Sequence, residues 1–362
     1  MADLGVKVEA EFWAGKRVLV TGHTGFKGAW LSLWLADMGA EVFGLALAPE
    51  TEPSLFEQLG MASMIDHAVQ DLRDAPGVAA RVAEARADVV FHLGAQALVR
   101  QSYVNPLETW ATNVQGTANL LDGVRQAERP CAVIVSTTDK VYANREWSHG
   151  YRENDRLGGH DPYSASKAAT EIAIASYRAA FFEARTGDVQ IGVGRAGNVI
   201  GGGDWSADRL VPDIVRALMV GAVIDVRNPA ATRPWQHVLE PLAGYLIYAQ
   251  ALACGATDVE ALNFGPEAGA NRAVREVLSL ALTCWEGPTS GSWRDVSDTA
   301  QPHEAGQLAL SIDLARAELG WTPRWSFETA VGATLEWYSA VAVGGDALAL
   351  SRAQIARYEA GA

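Results

Sequence analysis

The chain is poor in several things, and each shortage removes a class of function. Cysteine occurs three times in 362 residues, at Cys131, Cys254 and Cys284, with no CxxC spacing. That excludes a disulfide framework and leaves the three expected as small core residues in a reducing compartment. The seven histidines form no HxxxH or HExxH pattern, so no metal site is expected. Lys and Arg number 29 against 43 Asp and Glu, a formal net charge of −14, and no basic cluster stands out. Nucleic acid and anionic membrane surfaces are therefore poor partners, although a local basic pocket could still take an anionic small molecule. No apolar run is long enough to span a bilayer, and Met1 to Glu11 carry no basic apolar leader. The cytoplasm is the default location.

What is present is a patterned apolar sequence, 49% hydrophobic and 20% charged, as expected of a globular protein of two lobes or domains. Short apolar runs at Lys16–Gly22, Glu41–Leu47, Val69–Leu72, Ala87–Leu93, Ala132–Ser136 and Val189–Arg195 read as strands. Stretches of helical periodicity lie between them, notably Ala29–Gly39, Pro106–Gln126 and Ser164–Arg185. Strands alternating with helices predict an α/β fold, a doubly wound parallel sheet covered on both faces. The alternation breaks after Asn198, where Gly201-Gly202-Gly203-Asp204-Trp205 reads as a loop. The region beyond is expected to be mostly a smaller lobe, with Arg233–Ala253 returning to the first.

Gly22-His23-Thr24-Gly25-Phe26-Lys27-Gly28 lies between the first strand and the first helix. Glycines there permit a tight turn, close approach of backbone to a pyrophosphate and close packing of helix on strand. The spacing is GxxGxxG rather than GxGxxG, and its place in a βαβ series is what gives it weight. His23 and Lys27 are candidates to touch the phosphates. The second strand ends in Leu45-Ala46-Leu47-Ala48, with neither a carboxylate for a ribose hydroxyl nor an arginine for a 2′-phosphate. The balance favours NAD. Asp71 and Leu72, after the third strand, could meet the adenine, and a solvated loop carboxylate is the plainer reading of Asp71.

The remaining chemistry sits in residues 136–167. Tyr163 and Lys167 are four apart, on one face of a helix, where a nearby cation would favour the phenolate that a general base needs. Thr138-Asp139-Lys140 adds a hydroxyl, a carboxyl and a second amine at the end of an apolar run. Alone, each element has a plain alternative, since Tyr-x-x-x-Lys occurs on solvated helix faces and Thr-Asp is a common turn device. Together, behind a dinucleotide-type glycine loop, they indicate a site that moves protons as well as hydride.

With Thr21–Gly28, His92-Leu93-Gly94-Ala95-Gln96, Thr112-Asn113-Val114-Gln115-Gly116-Thr117 and Tyr163–Lys167 in place, the chain resembles the extended short-chain dehydrogenase/reductase family over nearly its whole length. Within it the chain looks most like the CDP-glucose 4,6-dehydratases, through Thr24–Leu31, Thr138–Lys140, Tyr151–Ser164, Arg195–Trp205 and Arg233–Val238. The resemblance implies a Rossmann-type sheet with a smaller C-terminal substrate-binding lobe. Residues 12–199 plus about 227–265 would bind the dinucleotide, and about 200–226 with 266–362 the nucleotide sugar. It implies NAD, held by Gly22, His23, Thr24, Gly25, Phe26, Lys27, Gly28, Asp71, Leu72, Leu93, Ala95, Gln96, Asn113, Tyr163 and Lys167.

It further implies dehydration of a sugar nucleotide such as CDP-glucose: hydride leaves carbon 4, water is eliminated across carbons 5 and 6, and hydride returns to carbon 6. Tyr163 would be the base at the carbon 4 hydroxyl, with Lys167 holding the nicotinamide ribose and Thr138 bonding that oxygen. Asp139 would be the acid at carbon 6. Lys140 stands where related dTDP-glucose dehydratases have a glutamate, and two roles stay open for it: base at carbon 5, or a cation that stabilises the enolate. Arg195, Asn198, Arg209 and Arg233 are placed around the diphosphate, because an arginine fork can donate two parallel hydrogen bonds. A homodimer or homotetramer is implied as well. The rivals are another dehydratase or an epimerase of the same fold, and a relative that binds dinucleotide without catalysis. An epimerase has no need of Asp139-Lys140, and a non-catalytic relative would not keep both Tyr163 and Lys167.

Overall fold

In a computed structural model describing residues 7–183, 188–297 and 308–361, the apolar runs become one parallel sheet. Its strands are β1 (Arg17–Thr21), β2 (Glu41–Ala46), β3 (Asp66–Val69), β4 (Val89–His92), β5 (Cys131–Thr138), β6 (Val189–Ala196) and a last strand, Ala261–Phe264. From one edge the order is β3-β2-β1-β4-β5-β6 and then Ala261–Phe264. Val18 of β1 faces Val42 on one side and Val89 on the other, so the strand order reverses between β1 and β4. Such a reversal opens a crevice at the carboxyl ends of the strands, where open α/β sheets bind ligands.

The pleat sorts the core into two layers. Val18 and Val20 join Trp30, Trp34 and the Leu239–Ala253 helix on one face. Leu19 joins Val78, Val82, Leu120 and Ile174 on the other. Strands buried on both faces carry apolar side chains at successive positions, which is why β1 and β5 read as continuous apolar runs. The Phe26–Asp37 helix buries every residue from Gly28 to Leu35. Leu239–Ala253 is buried almost all round, between the sheet and the C-terminal helices Phe327–Ala342 and Ala347–Glu359.

Several expectations need correction. The third strand, expected over Val69–Leu72, lies at Asp66–Val69, and the strand at Ala261–Phe264 was not foreseen. The helix expected over Pro106–Gln126 is broken by a wide turn at Ala111–Gln115, between Pro106–Trp110 and Gly116–Ala127. There the Asn113 carbonyl accepts the hydroxyls of Thr117 (2.7 Å) and Thr170 (2.9 Å), side-chain donors that relieve the ladder around the turn. The helix expected from Ser164 starts at Pro162 and ends at Tyr177 in another wide turn, and Arg185 lies outside the described residues. Of the cysteines only Cys254 departs from the core expectation, exposed at a helix end, while Cys131 and Cys284 are partly buried against the two core layers. No helix among the described residues is long and apolar enough to cross a membrane.

Glu240 is a buried carboxyl in this packing. It accepts the backbone N–H of Trp325 at 2.7 Å and the Tyr358 hydroxyl at 2.8 Å, pinning the C-terminal segments to the Leu239–Ala253 helix. Burial pushes its pKa up to about 7 against those bonds. The folded chain therefore holds a proton there that the unfolded chain loses above the ordinary carboxyl range, and stability falls as pH rises toward 7. Glu240→Gln removes that dependence. Its melting temperature should exceed that of the parent by a margin that widens between about pH 5 and about pH 7.5, by thermal unfolding, worth about 2 kcal/mol at the upper end.

Candidate active site

The glycine loop closes tightly over the end of β1. A Cβ on Gly28 would stand 2.0 Å from the Gly22 carbonyl oxygen, and one on Gly22 would stand 2.7 Å from the Gly94 nitrogen, with φ +74° at Gly22. Thr24 ties the loop to the end of β2 through Leu47 O at 2.9 Å. The Phe26–Asp37 helix starts at Gly25 with no side chain capping its first N–H groups, which face the crevice as anion donors. The loop carrying Leu93, Gly94, Ala95 and Gln96 lies alongside, with Gly94 N donating to Thr21 Oγ1 at 3.1 Å. This cradle of bare backbone fits a dinucleotide pyrophosphate. Leu72 packs against Gly94 and Gly116 and walls its side.

The chemistry lies where β5 overhangs its neighbour. β4 ends opposite Val135, so Ser136, Thr137 and Thr138 run on beside β6 alone. Asp139 then begins a short turn, with Thr138 Oγ1 accepting the Lys140 N–H. The Asp139 side chain is 0% exposed. Its Oδ1 accepts the Thr138 hydroxyl at 3.0 Å and Lys140 Nζ at 3.3 Å, while Oδ2 has no hydrogen-bond partner. Lys140 Nζ also reaches Asn198 Oδ1 at 3.4 Å.

Tyr163 and Lys167 approach from the Pro162–Tyr177 helix. Its start is fixed by Pro162 in the first turn and by a capping box between Asp161 and Ser164. Lys167 is buried and donates to the Ser136 carbonyl at 3.0 Å, and burial lowers its pKa to about 8 although Glu171 one turn on opposes this. Burial pushes the Tyr163 phenol up to about 12, with the Arg209 charge first and then the neighbouring Thr138 side chain pulling the other way. The cation that most favours the phenolate here is thus Arg209, where the sequence pointed to Lys167.

Other site residues are also placed differently from expectation. His23 does not face the phosphates: its ring is buried beside Gly44, Phe56 and His67, and burial lowers it to about 4. Lys27 turns toward the end of β5, where Nζ stands 3.4 Å from Ser136 Oγ and 3.3 Å from the Tyr245 hydroxyl. Burial first, then the charges of Lys167 and Arg209, lower it to about 7. Arg195 cannot serve a diphosphate, because its whole fork is engaged within the fold. Nε donates to both Glu171 oxygens at 3.0 Å, and Nη1 to the Tyr142 hydroxyl and Glu153 O at 2.8 Å. The Asn113 amide is likewise engaged, with Gln96 and with Ser166 Oγ at 2.8 Å, so it braces the site rather than touching a cofactor.

Asp71 pairs at the surface with Arg73, which holds its carboxyl below the ordinary range. Arg209 remains at the crevice, bonded to Asp204 at 3.1 Å. Arg233 is buried in the Thr232–Arg233 strand, opposite Arg272. Among the described residues no group of three or more His, Cys, Asp and Glu could hold a metal ion.

A family model described as GDP-mannose 4,6 dehydratase matches residues 19–334, across both the cradle and the catalytic cluster. The chain belongs to that family. It is 46% identical over 97% of its length, and 98% of the relative's, to CDP-glucose 4,6-dehydratase of Salmonella typhimurium. It is 30% identical over 74% of each chain to dTDP-glucose 4,6-dehydratase of Streptomyces antibioticus. Among solved structures, UDP-glucose 4-epimerase of Thermotoga maritima shares the fold, with TM-score 0.76 and 20% identity over 90% of this chain and 99% of that one. So does UDP-glucuronic acid 4-epimerase of Bacillus cereus, solved with UDP-glucuronic acid and NAD, with TM-score 0.75 and 19% identity over the same shares.

Three residues of this family member's site escaped the sequence reading. Ser136 is where the two lysines converge, Lys27 on its hydroxyl and Lys167 on its carbonyl, and its place in β5 was the available signal. Tyr245 lies in an apolar helix and had none; Gly194 makes room for it, since a Cβ there would stand 2.3 Å from its ring. Glu171 follows Lys167 by one turn and joins Arg195 to the Thr137 hydroxyl at 2.7 Å. Removing one partner of a buried charged pair strands the other. Glu171→Gln should therefore cost about 3 kcal/mol in urea unfolding of the protein without cofactor.

Proposed function

We propose that the protein is an NAD-dependent nucleotide-sugar dehydratase that converts CDP-glucose to CDP-4-dehydro-6-deoxyglucose and water. The observation that carries this is the contact of Asp139 with Lys140, acid beside base, with the Thr138 hydroxyl donating to the same carboxyl. Simple alcohol oxidation or epimerisation at carbon 4 has no use for that second pair. NAD, when bound, supplies the redox chemistry, taking a hydride from carbon 4 and giving it back at carbon 6. The glycine cradle would hold its pyrophosphate, and Lys167 its nicotinamide ribose.

Thr138 positions the carbon 4 oxygen and Tyr163 takes its proton. The ketone acidifies carbon 5, where Lys140 is the base: it is the amine at the site with a partly exposed side chain, 31%, and no carboxylate other than Asp139 contacts it among the described residues. Asp139 Oδ2, without a partner, is the atom to protonate the departing carbon 6 hydroxyl. Arg209, Arg233 and Asn198 hold the diphosphate, with Arg195 removed from that set. The dinucleotide unit spans residues 12–199 with about 227–265, and the remainder to residue 362 forms the sugar-nucleotide lobe. The enzyme works in the cytoplasm.

Incubation with NAD and each of the CDP-, dTDP-, UDP- and GDP-hexoses tests the reading. A 4-keto-6-deoxy product from CDP-glucose alone is expected, and turnover of none would return the chain to non-catalytic binding. Lys140→Ala should keep the first oxidation, seen as reduced-cofactor absorbance, and lose exchange of the carbon 5 hydrogen with deuterated solvent.

The protein acts as a homo-oligomer through the exposed apolar faces of its side helices. Leu107 is 84% exposed, Val104 70% and Ile172 63%, with Tyr103 and Trp110 beside them in sequence. A second copy is the occupant that suits a patch repeated on every chain. Leu107→Glu with Ile172→Glu should lower the mass seen by light scattering to that of one chain.

A further inference from the structure

Resting on that reading, we propose that Asn198 is a positioning residue for Lys140, holding its amine at carbon 5 and tying that placement to the grip on the diphosphate. The Asn198 amide serves two partners at once, its oxygen toward the amine and its nitrogen toward the phosphate.

Lys140 leaves the short turn after β5 on a flexible four-carbon stem, which by itself does not fix its nitrogen. Two oxygens do. Nζ donates to Asp139 Oδ1 at 3.3 Å and to Asn198 Oδ1 at 3.4 Å. Both contacts are long, as catalytic contacts often are before substrate arrives. A lysine nitrogen has N–H bonds to donate whether charged or neutral, so the amide atom that faces it is the oxygen. Two acceptors then occupy two of those N–H bonds. The remaining direction of the tetrahedral nitrogen points away from both oxygens, and it is the one that must meet carbon 5, whatever the proton count at rest. Asp139 alone would leave Nζ to swing about a single contact, and Asn198 supplies the second.

Asn198 is itself held from behind. Its carbonyl accepts the Gln236 N–H at 3.1 Å, where Val199–Ile200 pairs with Gln236–His237. Gly197 before it packs so closely that a Cβ there would stand 2.7 Å from Pro234 Cγ and 3.2 Å from Asp139 Oδ2. The segment that carries Arg233 therefore clamps Gly197 and Asn198 against the acid and the amine. Asn198 Nδ2 has no partner among the described residues, and its two N–H bonds are the donors left for the diphosphate. A phosphate on Nδ2 would lock the amide with its oxygen on Lys140, so that binding at the nucleotide end aims the amine at the sugar.

The parent, Asn198→Ala and Asn198→Asp are compared in the presence of NAD and saturating CDP-glucose. Stopped-flow absorbance of the reduced cofactor reports the first oxidation, and NMR in deuterated water reports solvent hydrogen entering carbon 5. Asn198→Ala removes both halves of the amide: KM for CDP-glucose should rise, and the ratio of exchange to oxidation should fall about tenfold. Asn198→Asp keeps an oxygen for Lys140 and gives up the donor. Its KM should rise at least as far, while the ratio returns to within about threefold of the parent. A ratio unchanged in Asn198→Ala, with KM alone raised, would overturn the positioning role and leave Asn198 a diphosphate ligand. A ratio equally low in both variants would overturn it as well. Absence of product from the parent would instead remove the substrate reading, and this assignment with it.

Discussion

β5 is paired along its length by parallel strands, and beyond Val135 by β6 alone, so the directions of its last side chains are imposed by the pleat. Ser136 faces the layer of the Phe26–Asp37 and Leu239–Ala253 helices and meets Lys27 and Tyr245. Thr137 faces the opposite layer and meets Glu171. Thr138 returns to the first side at the strand's end, where the chain turns and buries Asp139. The hydroxyl is therefore set by a strand, and the carboxyl and amine by the short turn that the strand leads into. A one-residue slip of β5 would exchange the two layers and dismantle the site.

The electrostatics follow from the same crossing. A chain with a net charge of −14 gathers Lys27, Lys167 and Arg209 within reach of one another's fields at the crevice. Burial with the charges of Lys167 and Arg209 holds Lys27 near 7, and burial opposed by Glu171 holds Lys167 near 8, so an arriving anion would favour their charged forms. A local basic pocket on an acidic protein suits a dinucleotide and a nucleotide diphosphate, and repels bulk polyanions less selectively bound.

Much of this was legible in the sequence because period and order carry it. The apolar runs located five of the seven strands and touched a sixth at Val69, the glycine loop forms a backbone cradle, and Thr138–Lys140 lies at the strand end that Lys167 reaches through Ser136. Direction was not legible. His23 and Lys27 occupy one loop, yet one turns under β2 and the other toward β5. Arg195 reads as a phosphate fork until Glu171 and Tyr142 are seen to hold it. The breaks at Ala111–Gln115 and Arg178–Phe182 sit inside helical periodicity, and the first depends on a carbonyl shared with Thr170 of another helix. Contacts between distant segments decided each of these.

The central claim is that one site removes a hydride at carbon 4 and returns it at carbon 6 while Asp139 and Lys140 eliminate water between the two events. CDP-glucose deuterated at carbon 4, turned over in ordinary water and analysed by NMR, addresses it most directly. The account predicts the deuterium on carbon 6 of a 4-keto-6-deoxy product, with a solvent hydrogen at carbon 5. Deuterium retained at carbon 4 with its configuration inverted, or an oxidised product that still carries the carbon 6 hydroxyl, would contradict it.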